Sequence, residues 1–328
     1  MAVARVAGSA RSLRPRGRVG RGPHLPGRDS DEGPARQPAA GAAVDTPRLA
    51  VPDRRRRRAS LALLLAVGGG VCAGGCGTAA DTFVLGATTS TYDSGLLEHL
   101  IARFNEDHPG LRVRTVIAGS GEALALGRTG DVDLLLVHAP EAEARFVEAG
   151  HAPRRNPVLV NGYVIAGPPS DPARIRGSAS PSEAFATLAQ GEHGFVSRGD
   201  SSGTHYREIA FWREAGEAAG GAWYVESGQG QATTLHVASE RGAYVLTDDA
   251  TFALLSGVLD LEALVEGHRS LRNVYSLLAP GAGRRPERAE VFAGWLRSAN
   301  GRGAIAEFRV RGGPEALFAP WPGDDPAN

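Results

Sequence analysis

The sequence predicts an α/β protein of two lobes, built from mainly parallel sheets flanked by helices, with a hinge between the lobes. Three observations predict it. From Asp81 onward, short apolar segments alternate with stretches that carry apolar residues on one helical face, the rhythm of a parallel sheet covered on both sides. Two apolar stretches far apart in the chain, 157–166 (PVLVNGYVIA) and 274–278 (VYSLL), each suit a strand passing from one lobe to the other. The 328 residues are 42% hydrophobic, enough for a substantial core and for two domains.

The elements follow in order. Residues 82–86 (TFVLG) read as a first strand, and 94–106 as a helix with Leu96, Leu97, Leu100, Ile101 and Phe104 on one face. A second strand at 111–118, a short helix at 122–126, a buried strand at 132–137 and a helix at 142–149 complete the first run. The long strand at 157–166 leads into a Pro/Ser/Gly loop over 167–182. Beyond it lie a helix at 183–190, a strand at 195–197, a helix at 204–215 and a strand at 243–246. Residues 274–278 bring the chain back, and 288–298 form a closing helix. The expected division is lobe 1 over 81–162, lobe 2 over 163–272, a return to lobe 1 over 273–320, and a tail over 321–328.

Ahead of this body, residues 1–50 are rich in Ala, Gly, Pro and Arg without apolar periodicity, and read as disordered or untranslated. Residues 51–80 read as an export signal. Arg54 to Arg58 form its basic start, 60–71 (SLALLLAVGGGV) its apolar centre, and Ala73-Gly74-Gly75-Cys76 a small-residue cleavage site. A dozen apolar residues fall short of a bilayer about 30 Å thick. Two processing routes fit: lipidation at Cys76, whose tetrapeptide resembles a bacterial lipobox, or ordinary cleavage after Ala80. The protein is therefore expected in the periplasm or on the outer face of the cytoplasmic membrane.

Formal neutrality hides an uneven charge distribution. Residues 1–80 hold 14 arginines and 5 acidic residues, leaving 22 and 31 in the body, a net charge of about −9. An acidic body argues against nucleic acid as a partner. The two cysteines, Cys72 and Cys76, both precede the body, which has no disulfide, thiolate metal site or cysteine nucleophile of its own.

Three segments place hydroxyls and glycines between a strand and a helix start: 88–95 (TTSTYDSG), 119–122 (GSGE) and 197–205 (SRGDSSGTH). Helix starts offer unpaired N–H groups and partial positive charge, so each is a seat for an anion. Plain helix capping by Ser, Thr and Asp accounts for any one of them. Three at strand ends, one with Arg198, point to a site.

These segments, with 131–141 (DVDLLLVHAPE), Trp223-Tyr224, Gly228-Gln229-Gly230 and 244–248 (YVLTD), resemble in order the tungstate-binding proteins of bacterial ABC transporters, over roughly residues 82–318. The resemblance implies a type II periplasmic-binding fold with an oxyanion, tungstate or molybdate, in the cleft. Its partners would be an ABC permease and an ATPase subunit, with no cofactor and no catalysis, and the protein itself a monomer. Carried over by position, Thr89 and Ser90 donate from the first loop, Ser120 from the second, and Arg198, Ser202, Gly203 and Thr204 from the third. Two positions depart from the family: Ala87 stands where a third Thr is common, and Ser201 where a second Asp is common. Asp93 is expected to cap the following helix and Asp200 to orient Arg198.

The chemistry agrees with the resemblance. Tungstate and molybdate are dianions that only accept hydrogen bonds, whereas phosphate favours a carboxylate facing it; phosphate is the alternative ligand, and a surface lipoprotein with no transported ligand the alternative role. His138 and His205 lack metal-ligand spacing and read as hydrogen-bonded structural histidines. Ser202 and His205 share one helix start and there is no nucleophile elbow, which argues against a hydrolase. Trp212, Trp223 and Tyr224 read as packing aromatics.

Overall fold

A computed structural model describes residues 81–323. The expected export signal and Cys76 lie outside the described residues, as does the end of the tail.

The first half runs β1 (Asp81–Thr88), α1 (Thr89–Asp93), α2 (Leu96–Asp107), β2 (Leu111–Ala118), α3 (Ser120–Thr129), β3 (Leu134–Val137) and α4 (Pro140–Glu148). β1 lies between β2 and β3 and is parallel to both. The helix expected at 94–106 begins two residues later, because Gly95 takes a left-handed conformation (φ 82°) and separates it from α1. Asp93 ends α1 and does not cap α2, whose N-cap is Gly95 without a side-chain bond; the correction follows from that break in the helix. The apolar face of α2 buries Leu96, Leu97, Leu100 and Phe104. Phe104 meets Trp295 edge-on at 5.4 Å in a core shared with the C-terminal helices.

β4 (Asn156–Gly167) is a twelve-residue strand that serves two sheets. Beyond it come α5 (Pro181–Gln190), β5 (Phe195–Ser197), α6 (Gly203–Glu214), β6 (Tyr224–Glu226), α7 (Gln231–Arg241), β7 (Val245–Asp248), α8 (Asp249–Leu255) and β8 (Glu262–Val265). A 3₁₀ turn at Arg269–Leu271 leads into β9 (Arg272–Leu278), then α9 (Pro286–Arg297), α10 (Ala299–Glu307) and β10 (Ala319–Pro320). Up to Gly162, β4 pairs with β9; from Tyr163 it pairs with β7 and then β8.

Parallel pairing holds for β1 with β2 and β3, and for β5 with β6, but the crossings are antiparallel. A chain that leaves on β4 and returns on β9 must run in the opposite direction, and β3, which pairs with β9, is antiparallel to it as well. The sheets are thus more mixed than periodicity predicts. Two large cores flank the crossings, with smaller clusters beside them. One packs Phe83, Leu85, Phe104, Phe292 and Leu296; the other packs Phe185, Phe195, Phe211, Trp212 and Tyr244. Trp212 is buried, with Trp223 and Tyr224 packed against that second core.

Candidate functional site

The expected loops leave the carboxyl ends of β1, β2 and β5, the edge where α/β sheets hold ligands. Thr88 caps α1 in an extended conformation, Thr89 is half-buried, and Ser90 and Thr91 are buried. Ser120 is fully buried at the start of α3. Ser202 caps α6, its Oγ accepting from the His205 amide at 3.3 Å, which leaves the hydroxyl hydrogen available. Gly203 and Thr204 open α6, whose first N–H groups have no acceptor within the helix.

Arg198 follows β5 and is only 3% exposed. Its Nη2 donates to Asp200 Oδ2 at 2.5 Å, and Asp200 Oδ1 accepts from the Ser202 amide at 3.1 Å. Asp200 therefore orients Arg198, as expected, and its oxygens are engaged within the turn. Ser197, one residue back, is held by Glu208, a buried carboxylate that also accepts from Tyr224 and Trp212. Burial pushes Glu208 up to about 7 despite those three donors.

The second and third loops meet. The Gly121 amide donates to the Ser201 carbonyl at 3.2 Å, and Ser201 reaches that position with a positive φ of 58°. The approach is close: a Cβ on Gly121 would lie 3.0 Å from the Ser201 oxygen, tight enough that the turn would have to shift. The Ser201 amide donates to His205 Nδ1 at 3.0 Å, so His205 holds the turn that touches the other lobe.

Two polar atoms in this junction have no partner. Arg198 Nε and Thr204 Oγ1 are among the few buried, unbonded side-chain atoms of the described residues. An orphaned buried donor costs about 1–3 kcal/mol, so a group that accepts from both atoms would stabilise this turn. Among the described residues, no cluster of His, Cys, Asp or Glu is arranged to hold a metal.

The loops and crossings also converge on a residue that sequence reasoning left as structural. His138, after β3, is 3% exposed. Its Nε2 lies 3.4 Å from Ser90 Oγ, its Nδ1 2.9 Å from Asn273 Oδ1 and 3.1 Å from the Tyr163 hydroxyl, and its amide donates to Ser120 Oγ at 3.4 Å. Tyr275 stacks on the ring at 4.6 Å and bonds Ser90 Oγ at 3.0 Å. Burial pushes His138 down to about 4, with Arg198 acting in the same direction. A signal for this set was present: each crossing strand carries Asn-x-Tyr, Asn161-Gly162-Tyr163 and Asn273-Val274-Tyr275, within a largely apolar stretch. Asn161 and Asn273 face each other in register.

A family model described as a PBP superfamily domain matches residues 39–300. A Haloferax volcanii protein assigned as an ABC transporter anion-binding protein is 40% identical over 245 residues, covering 72% of this chain and 71% of its own. The tungstate-binding protein TupA of Peptoclostridium acidaminophilum is 34% identical over 249 residues, 74% of this chain and 86% of its own. The solved structure of the tungstate-binding protein TupA from Desulfovibrio alaskensis G20 is 38% identical with a TM-score of 0.63, covering 74% of this chain and 99% of that one. The chain belongs to the PBP superfamily, in the family that includes the tungstate-binding proteins of ABC transporters.

Proposed function

We propose that this protein is an exported, non-enzymatic receptor that captures tungstate between its lobes and delivers it to an ABC permease and its ATPase subunit. The observation that carries the reading is the pair of orphaned, buried groups on one turn, Arg198 Nε and Thr204 Oγ1. They lie where the loops of the two halves meet through Gly121 and Ser201. A dianion that only accepts hydrogen bonds satisfies both at once. Charge-assisted bonds contribute roughly 1.5–3 kcal/mol each, and Arg198 supplies the permanent positive charge.

In this reading Thr89, Ser90, Ser120, Ser202 and Thr204 donate through side chains or amides, Gly203 through its amide, and Arg198 through its guanidinium. Asp200 does not call for a protonated ligand, because its oxygens already accept from Arg198 and Ser202. Molybdate, of the same charge and nearly the same size, meets the same donors. The names of the relatives favour tungstate. Export through residues 51–80, anchoring by lipid at Cys76 and a monomeric receptor complete the proposal.

A melting series with tungstate, molybdate, sulfate and phosphate tests it. A ligand that binds only the native state adds RT ln(1 + [L]/Kd), about 2.7 kcal/mol at a hundredfold excess over Kd. Tungstate and molybdate are expected to raise the melting temperature at micromolar concentration, with phosphate and sulfate far behind. No shift with tungstate rejects the assignment.

A further inference from the structure

The arrangement around Ser90 has a direction. Asn273 Nδ2 donates to the Tyr275 hydroxyl oxygen at 3.1 Å, which turns the amide so that Oδ1 faces the imidazole of His138 at 2.9 Å. An amide oxygen only accepts, so His138 Nδ1 carries the ring proton and Nε2 is a bare acceptor. Tyr275, whose oxygen already accepts from Asn273, donates its own hydrogen to Ser90 Oγ at 3.0 Å. The Ser90 hydrogen is then drawn toward Nε2, or toward Thr88 Oγ1 at 3.1 Å, and away from an anion.

We propose that His138 is a positioning residue for Ser90, and that oxyanion capture is coupled to uptake of one solvent proton on His138 Nε2. The new N–H donates to Ser90 Oγ, the bond reverses, and the Ser90 hydrogen turns to the anion; no other covalent bond changes. The inference rests on the reading of Ser90 as an anion donor.

The surroundings fit such a coupling. The ring is held neutral by burial and by the field of Arg198, with Asp200 opposing. Tyr163 and Tyr275 face it from the two crossing strands. A cavity beside the ring, lined also by the charged groups Glu141, Arg207 and Arg272, offers solvent protons a route. A dianion among the same loops offsets the Arg198 field and so favours the charged imidazole.

The test is calorimetric titration of the protein with tungstate from pH 7.5 to 5.5, in buffers of different ionisation enthalpy, for the wild type and His138→Gln. Wild-type affinity should tighten about 4-fold across that range, with proton uptake growing as pH falls. His138→Gln should give a flat profile. A flat wild-type profile, or an unchanged slope in the variant, overturns the coupling. Imidazole ¹⁵N spectra of the wild type decide independently of the variant's folding. The Nδ1–H tautomer is expected without ligand, and a doubly protonated ring in the complex at pH 5.5; an Nε2–H tautomer without ligand overturns the positioning role. Binding with a flat profile sinks the coupling alone, whereas no tungstate binding at all sinks the receptor reading and the coupling with it.

Discussion

At the scale of the residue, the site is marked by what its side chains lack. Most buried polar groups near the junction have partners: Thr91 Oγ1 donates to the Thr88 carbonyl at 2.8 Å, and Thr251 Oγ1 to Asp248 at 2.7 Å. Thr204 Oγ1 has none. Replacing it with the near-isosteric valine removes an unsatisfied group worth about 1–3 kcal/mol. Thr204→Val is therefore expected to leave the ligand-free melting temperature unchanged or raised while weakening tungstate binding, as calorimetry and titration together would report. A threonine that served only packing would not weaken binding. The hydroxyls, glycines and Arg198 of this turn were legible in the sequence because their chemistry is local. Their orphaned state was not, since it depends on which distant groups come within bonding range.

At the scale of the element, closure depends on how near α6 comes to the end of β3. A Cβ on Gly203 would lie 2.5 Å from the His138 carbonyl and 2.6 Å from its ring. Only glycine lets the start of α6 reach that surface. Gly203→Ala is expected to hold the halves apart; overpacking of this kind costs about 1–3 kcal/mol, or roughly 5- to 150-fold in affinity. Small-angle scattering with added tungstate would follow closure directly, and a variant that closes and binds like the wild type removes the contact from the account. No local pattern announces α1, because its run of hydroxyl residues favours caps and turns over helix. α7, α8 and α10 were missed as well, their apolar stripes being short and interrupted by Gly, Ser and Thr.

At the scale of the whole molecule, buried carboxyls couple stability to pH. Burial pushes both Glu208 and Asp249 up to about 7, Asp249 with the neighbouring Asp248 acting in the same direction. Glu208 anchors the strand that carries Arg198, through Ser197. Asp249 ties α8 to the crossing strand, accepting from Asn161 at 2.7 Å and from the Gly162 amide at 2.8 Å. A carboxyl raised above its unfolded value, near 4, favours the native state when protonated. Its contribution is full below the unfolded value and is lost as pH rises through about 7. The melting temperature is accordingly expected to fall between pH 6 and pH 8, and Glu208→Gln to flatten part of that slope, Asp249 keeping the rest. Scanning calorimetry checks it; a wild-type melting temperature independent of pH over that interval contradicts it.

Local pattern was enough to show that the body alternates strands and helices, that two apolar stretches cross between halves, and that hydroxyl- and glycine-rich segments stand at strand ends. Periodicity and turn chemistry are written in neighbouring residues. Long-range packing set the antiparallel crossings, the contact of the second and third loops through Gly121 and Ser201, and the convergence of Ser90, Ser120, Gly203 and both crossings on His138. Each of these sets a hydrogen bond or a close contact between residues far apart in the chain. Their partners are chosen by packing of the whole, which no local pattern contains.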